Sequence, residues 1–294
     1  MPLSLLFRTA RWATETIHNL SKLTFLPTMS SDASATRQPV DYFFHIPKTA
    51  GTSLTRFLES AYPKGTVFPG HLWRHLIGCR TEDVHGVRLY RGHFYGALQG
   101  FVGRPVRAFT FLRDPVERAL SHHGHVLRDP THYLHCRAVE AGSLAKYLAD
   151  PILRTTVENF QVRALAMELD PVAEAADLNA TQLGQGVLEQ RMMTAPFDRP
   201  LQQLLDTALR RLDDMAFVGV TERYSTSLRG LCRQLDLRPP PQEQRRLNVN
   251  PGRLEAARLE PADRRALHRL TEGDQVVYRH AMRLLDQTCP DSKG

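Results

Sequence analysis

The sequence predicts an α/β protein with a mainly parallel central sheet flanked by helices. Three observations carry that prediction: a strand-like apolar run leads into a helical pattern at 42–62, again at 107–122, and again at 215–235. Strands alternating with helices form parallel sheets with helices on both faces. In the first unit, Tyr42–Ile46 (YFFHI) is aromatic and β-branched and reads as a buried strand. Pro47–Thr52 is a turn, and Ser53–Tyr62 a helix with Leu54, Phe57, Leu58 and Ala61 on one face. In the second, Arg107–Leu112 is the strand. Asp114 then suits a helix N-cap, Pro115 the first helical position, and Glu117 the third position of a capping box. In the third, Met215–Val220 is the strand, Thr221 the expected N-cap, and Leu228, Leu231, Cys232 and Leu235 one helix face. Val87–Tyr90 adds a strand, and further helices are expected near 143–149, 155–168, 200–213 and 262–286. Ligands of such sheets bind beyond the carboxyl ends of the strands, so the turns after Ile46, Tyr90, Leu112 and Val220 are expected to converge.

The chain of 294 residues divides by composition into a flexible N-terminal segment, 1–40, and a single domain, 41–290. Residues 28–39 are a polar linker, and the stretch from Leu3 to Trp12 suits an amphipathic surface helix or a transit-like tail. The first of these allows peripheral membrane contact. Apolar runs are too short for a bilayer, which needs about 20 residues. The formal charge of +7 favours an anionic ligand or polyanionic partner, a basic surface serving solubility being the alternative. Lysine occurs only at Lys22, Lys48, Lys64, Lys146 and Lys293, so each merits scrutiny for what a compact ammonium does and a guanidinium does not. Cys79, Cys136, Cys232 and Cys289 form no CxxC pair and suggest no disulfide framework, which fits a reducing, cytoplasmic setting.

The segment from His45 to Ser53 closes a strand and opens a helix in the manner of a phosphate loop. Gly51 lets the backbone approach an anion, the helix N-terminus supplies N–H groups and a dipole, and Thr49, Thr52, Ser53 and Lys48 add donors. Lys48 precedes Gly51, so the pattern is not GxxxxGK[ST], and composition alone leaves a plain turn open. Arg113 sits at a strand end, where a guanidinium fork can grip a phosphate. Ser121 lies two turns into the following helix; a structural ion pair and a solvent-facing hydroxyl are the alternatives for these two. His71, His75 and Cys79, at i, i+4 and i+8, share a helix face but lack a further zinc ligand, and no metal is expected. Arg104, Arg107, Arg113, Arg118 and Arg128 come with no stacking platform, so nucleic acid is not expected.

PKTAGTS after an aromatic strand resembles the 5'-phosphosulfate loop of sulfotransferases that use PAPS (3'-phosphoadenosine 5'-phosphosulfate). FHIPKTAGTS is most similar to the carbohydrate branch, which includes heparan sulfate 2-O-sulfotransferases and bacterial relatives. RDPVERALSH resembles the family's 3'-phosphate element, ENFQVR (158–163) its NxQxR segment, FVGVTE (217–222) its FVGxTE segment, and Asp274…Tyr278 its last helix. The resemblance spans about residues 41–286. It departs from the family in a His-rich stretch at 122–135 and an insert-like region near 170–200, both of which bear on the acceptor rather than the donor. It implies a P-loop-like three-layer sandwich that moves a sulfuryl group from PAPS to an acceptor hydroxyl, on a carbohydrate, leaving PAP and using no metal. By the same resemblance Lys48 contacts the 5'-phosphate and bridging oxygen. Thr49, Ala50, Gly51, Thr52 and Ser53 hold the rest of that group, and Arg113 and Ser121 take the 3'-phosphate.

The transfer needs a base, and histidine suits neutral pH. Arg91-Gly92-His93-Phe94-Tyr95-Gly96 follows a strand, has glycines that leave room for substrate, and resembles the GH element that supplies the base in the 2-O-sulfotransferases. His93 is therefore the expected base, with Lys48 stabilising the leaving phosphate; the alternative for His93 is a structural histidine bonded to a backbone carbonyl. Two other functional classes stand beside this one: a P-loop-like kinase using ATP and Mg²⁺, and a non-catalytic protein that binds anionic glycans.

Overall fold

The computed structural model describes residues 39–77, 79, 84, 86–168, 170–184, 186–240, 254 and 256–290. The N-terminal segment 1–40 falls almost entirely outside them. Four strands form one parallel sheet in the order β2-β1-β3-β4: β1 (Val40–Phe44), β2 (Leu89–Gly92), β3 (Val106–Leu112) and β4 (Phe217–Val220). This is the α/β class with a parallel sheet, and the flanking helices are consistent with three layers. β1 is buried along its whole length, as expected for a central strand covered on both faces. Its one charge, Asp41, is gripped by both forks of Arg107 and by the Tyr62 hydroxyl, so a buried carboxylate keeps its partners.

Each strand feeds a helix, as the periodicity predicts. The helices that shape the site are α1 (Gly51–Ala61), α2 (Pro115–Arg128), α3 (Phe160–Leu165), α4 (Leu201–Asp213), α5 (Tyr224–Leu235), α6 (Pro261–Leu270) and α7 (Glu272–Thr288). The largest core packs around the sheet, and a smaller one lies between α2, the helices at 135–154 and α6. Two expected helices are interrupted. Of the pattern at 155–168 only Phe160–Leu165 is helical; residues 155–159 are turn, ending at Asn159, which takes the left-handed conformation at φ 42° and starts α3. The pattern at 262–286 is interrupted at Thr271, between α6 and α7.

The two breaks meet. Asn159 Oδ1 accepts the Gly273 and Asp274 amides at 2.8 and 3.3 Å, capping α7 from outside, while Asp274 Oδ1 accepts the Val162 amide at 2.8 Å in return. Thr221 does not simply cap a helix. Its hydroxyl donates to the Leu112 carbonyl at 3.0 Å, joining the ends of β3 and β4, and α5 starts three residues later.

The register sets the site. Phe44 pairs with both Gly92 and Thr110, and Leu112 with Val220, so all four carboxyl ends lie along one edge of the sheet. The segments that follow them, at 45–50, 93–96, 113–114 and 221–223, converge there.

Candidate active site

The turn after β1 is shaped by backbone conformation. Lys48 and Ala50 are both left-handed, at φ 73° and 66°, which folds successive amides inward as in an anion nest. The first helical hydrogen bond of α1 runs from Leu54 N–H to the Ala50 carbonyl, and no side chain caps this helix start. The start of this helix thus lies at the turn, where an anion would meet the positive end of its dipole. Thr49 is fully buried and its hydroxyl donates to the Ile46 carbonyl at 2.8 Å; its side chain braces the turn and is not presented to a ligand, contrary to the sequence expectation. Thr52 is exposed and Ser53 buried on the first turn of α1. Gly51 is required for a reason that composition does not show: a Cβ there would overlap the imidazole of His45.

The second basic turn adjoins the first. Arg113 is buried and donates from Nη1 to the Lys48 carbonyl at 3.2 Å. Four segments hold it. Gln161 brackets its backbone, accepting from the Arg113 N–H at 3.1 Å and donating to the Arg113 carbonyl at 2.9 Å. Glu117 and Glu222 face its guanidinium at 3.5 and 4.0 Å. Glu222 in turn accepts from the Asp114 amide at 3.2 Å and the Tyr278 hydroxyl at 2.9 Å. So Asp114 caps α2 as expected, accepting from the Glu117 amide at 2.9 Å, but the Asp114 amide is met by Glu222, not by the capping-box residue Glu117.

The Lys48 ammonium lies in the combined field of Arg128, Arg113 and Arg118, and burial together with those cations pushes it down to about 8. Burial holds His122 and His125 below the ordinary histidine value, and the Lys48 charge adds to it, so Lys48 and this part of α2 share one field. Ser121 is half-buried and by helical spacing shares that face with His125 and Arg128. Arg118, fully buried, stacks over Phe160 at 4.5 Å and donates from Nη2 to the Thr156 carbonyl, leaving Nε and Nη1 without a partner among the described residues. Both ring nitrogens of the buried His122 are likewise unmatched there. Packed cations and unmatched buried donors are what a polyanion would satisfy.

His93 follows β2 and is half-buried. Its Nδ1 lies 2.6 Å from the His45 carbonyl, which only an N–H can approach, so Nδ1 carries the proton and Nε2 the lone pair. Its main-chain N–H is also fixed, on the His71 carbonyl at 2.8 Å. Burial pushes its pKa down to about 4, so the ring is neutral at pH 7. The flanking glycines do not make room for substrate: a Cβ at Gly92 would overlap the backbone of His71, and one at Gly96 the guanidinium of Arg211. The bond from Nδ1 to a backbone carbonyl is the arrangement the structural alternative called for, and it leaves Nε2 as the acceptor nitrogen of the ring.

The remaining constellations resolve into separate tasks. The rings of His71 and His75 lie 5.1 Å apart, but the Cys79 thiol donates to the His75 carbonyl at 3.2 Å, and among the described residues no three metal-ligating side chains converge. Arg104 binds the Val87 carbonyl and Arg107 binds Asp41, so the arginine run does not form one stripe. The sequence reading named His45 only as the start of the phosphate turn, and Arg118 and Arg128 only as part of an arginine run discounted for nucleic acid; none was given a place in the site. The last two follow Arg113 along α2 on the Ser121 side, a spacing that was visible; the role of His45 was not.

No protein-family model matches the chain, and no curated protein is similar to it in sequence. Among the described residues no helix is long and apolar enough to cross a membrane.

Proposed function

We propose that the chain is a PAPS-dependent sulfotransferase acting on an acceptor hydroxyl, with a carbohydrate as the acceptor class and a P-loop-like arrangement of its nucleotide turns. The observation that carries this reading is the bond from Arg113 Nη1 to the Lys48 carbonyl: two basic turns, 65 residues apart in sequence, meet directly. That juxtaposition supports a nucleotide with phosphates at both its 5' and 3' positions as the ligand. The nested amides around Lys48 and Ala50 receive the 5' group, and Arg113 with Ser121 the 3'-phosphate. The unmatched donors of Arg118 and His122 lie on the same side. When bound, PAPS supplies the sulfuryl group. His93 Nε2 accepts the proton of the acceptor hydroxyl as its oxygen bonds to sulfur. Lys48 stabilises the charge that collects on the departing phosphate oxygen, an electrostatic role that positioning makes effective. The anionic donor raises the proton affinity of His93 from its low value in the free protein, and so poises it as a base only once the site is filled. Four free cysteines support a reducing, cytoplasmic setting.

Thermal denaturation with added nucleotide tests the donor assignment. PAP without metal should raise Tm, and Lys48→Ala or Arg113→Ala should abolish the shift. Stabilisation by ATP with Mg²⁺ and none by PAP would replace this reading with a kinase. His93→Ala should keep the PAP shift while losing transfer from labelled PAPS by about 100-fold or more.

A further inference from the structure

We infer that His45 is a positioning residue for the imidazole of His93, linking the anion-binding turn to the base. Its effect on turnover rests on the sulfotransferase reading; its effect on the ring of His93 does not. His45 is the residue between β1 and the turn, and it holds His93 twice. Its carbonyl takes the Nδ1 proton at 2.6 Å, and its imidazole stacks on that of His93 with centroids 4.7 Å apart and planes 26° from parallel. The His45 ring also stacks on Phe43 at 5.0 Å, and Phe43 on Phe109 at 5.7 Å. A column of four rings thus runs from the sheet interior to the base. One end is immobile: Phe43 and Phe109 are completely buried. The column is also keyed to α1, since the His45 ring fills the space that a side chain on Gly51 would take.

The consequence is mechanical and electrostatic. Tyr95, at 6.1 Å, flanks the far side of His93, so without His45 the His93 ring loses its support on one face and gains water. The charged and titratable groups around the pair are His71, Lys48 and Arg91, each of which disfavours a proton on His45, and His71 acts likewise on His93. No carboxylate acts on either ring in that set. Burial first, and these cations second, keep both imidazoles neutral, and the Nδ1–H tautomer of His93 is the one the backbone selects.

Three variants test this by histidine NMR, with the His93 resonance assigned by its loss in His93→Gln. In His45→Ala the His93 titration midpoint should rise toward the ordinary histidine value as the ring is hydrated, while the Nδ1–H tautomer, held by the retained His45 carbonyl, should persist. His45→Phe preserves the stack and should leave both near their starting values. Gly51→Ala, which displaces the His45 ring without touching His93, should reproduce the alanine variant. Transfer should follow the same order, with kcat falling about 10- to 100-fold in His45→Ala, KM for PAPS unchanged, and the phenylalanine variant rescued. An unchanged midpoint in both His45→Ala and Gly51→Ala would overturn the inference. Should His45→Ala not fold, Gly51→Ala compared with His45→Phe carries the same decision. Absence of transfer in the unaltered protein would remove the sulfotransferase reading alone, since the NMR comparison does not need turnover.

Discussion

Lys48 and His93 both have their proton affinity set by neighbours distant in sequence. Lys48 is crowded by burial and by Arg128, Arg113 and Arg118, so its ammonium titrates near 8 in the free protein. A bound polyanion reverses the field, raises that pKa and draws in a proton. Binding of PAP should therefore weaken as pH rises through about 8, and calorimetry in buffers of different ionisation enthalpy should register proton uptake at pH 8 that disappears in Lys48→Met. His93 shows the opposite sense on acidification. Its folded pKa of about 4 lies below the ordinary histidine value, so between those limits the unfolded chain binds the extra proton and stability falls as pH is lowered. His45 and His122, held well below the ordinary value by burial, add to that slope. Urea midpoints measured from pH 7 to pH 4.5 should drop, and less steeply in His93→Gln. Neither titration was legible in the sequence, which showed a lysine in a turn and a histidine after a strand. The residue types were readable because each suits its chemistry; their charge states depend on burial and on groups 22 to 80 positions away.

Among the elements, α2 shows how far local signals reach. Asp114, Pro115 and the apolar spacing that follows define its start, and the structure places the cap where the sequence does. Replacing Asp114 with Ala removes an N-cap bond and should cost about 1 kcal/mol in chemical denaturation. The turn that ends at Asn159 and the break at Thr271 were not legible in periodicity. Each break is held by the other, through Asn159 Oδ1 on the amides of Gly273 and Asp274 and through the Asn159 amide on the Leu270 carbonyl. A left-handed asparagine inside a helical pattern needs a partner to hold it there, and that partner lies more than 110 residues along the chain.

At the scale of the molecule, Asp274 is the keystone between α7, α3 and α2. It is fully buried, binds the Val162 amide, and lies in the field of Arg118 and Arg163, both also buried. Burial raises its carboxyl to about 6 even against those cations. Asp274→Ala should destabilise the fold by about 3 kcal/mol in urea denaturation, because it leaves two buried guanidiniums with less opposing charge. Asp274→Asn, which keeps the bond to Val162, should cost less. By itself the sequence determined the alternation of strand and helix, the two basic turns and their place at strand ends, because hydrophobic period and capping residues are properties of a single element. Only the tertiary structure decided that Lys48 and Arg113 meet, that Gly51 yields its space to His45, and that His93 is a neutral imidazole with Nε2 open. Those are outcomes of burial and of Coulombic fields, which act through space between segments that no local pattern connects.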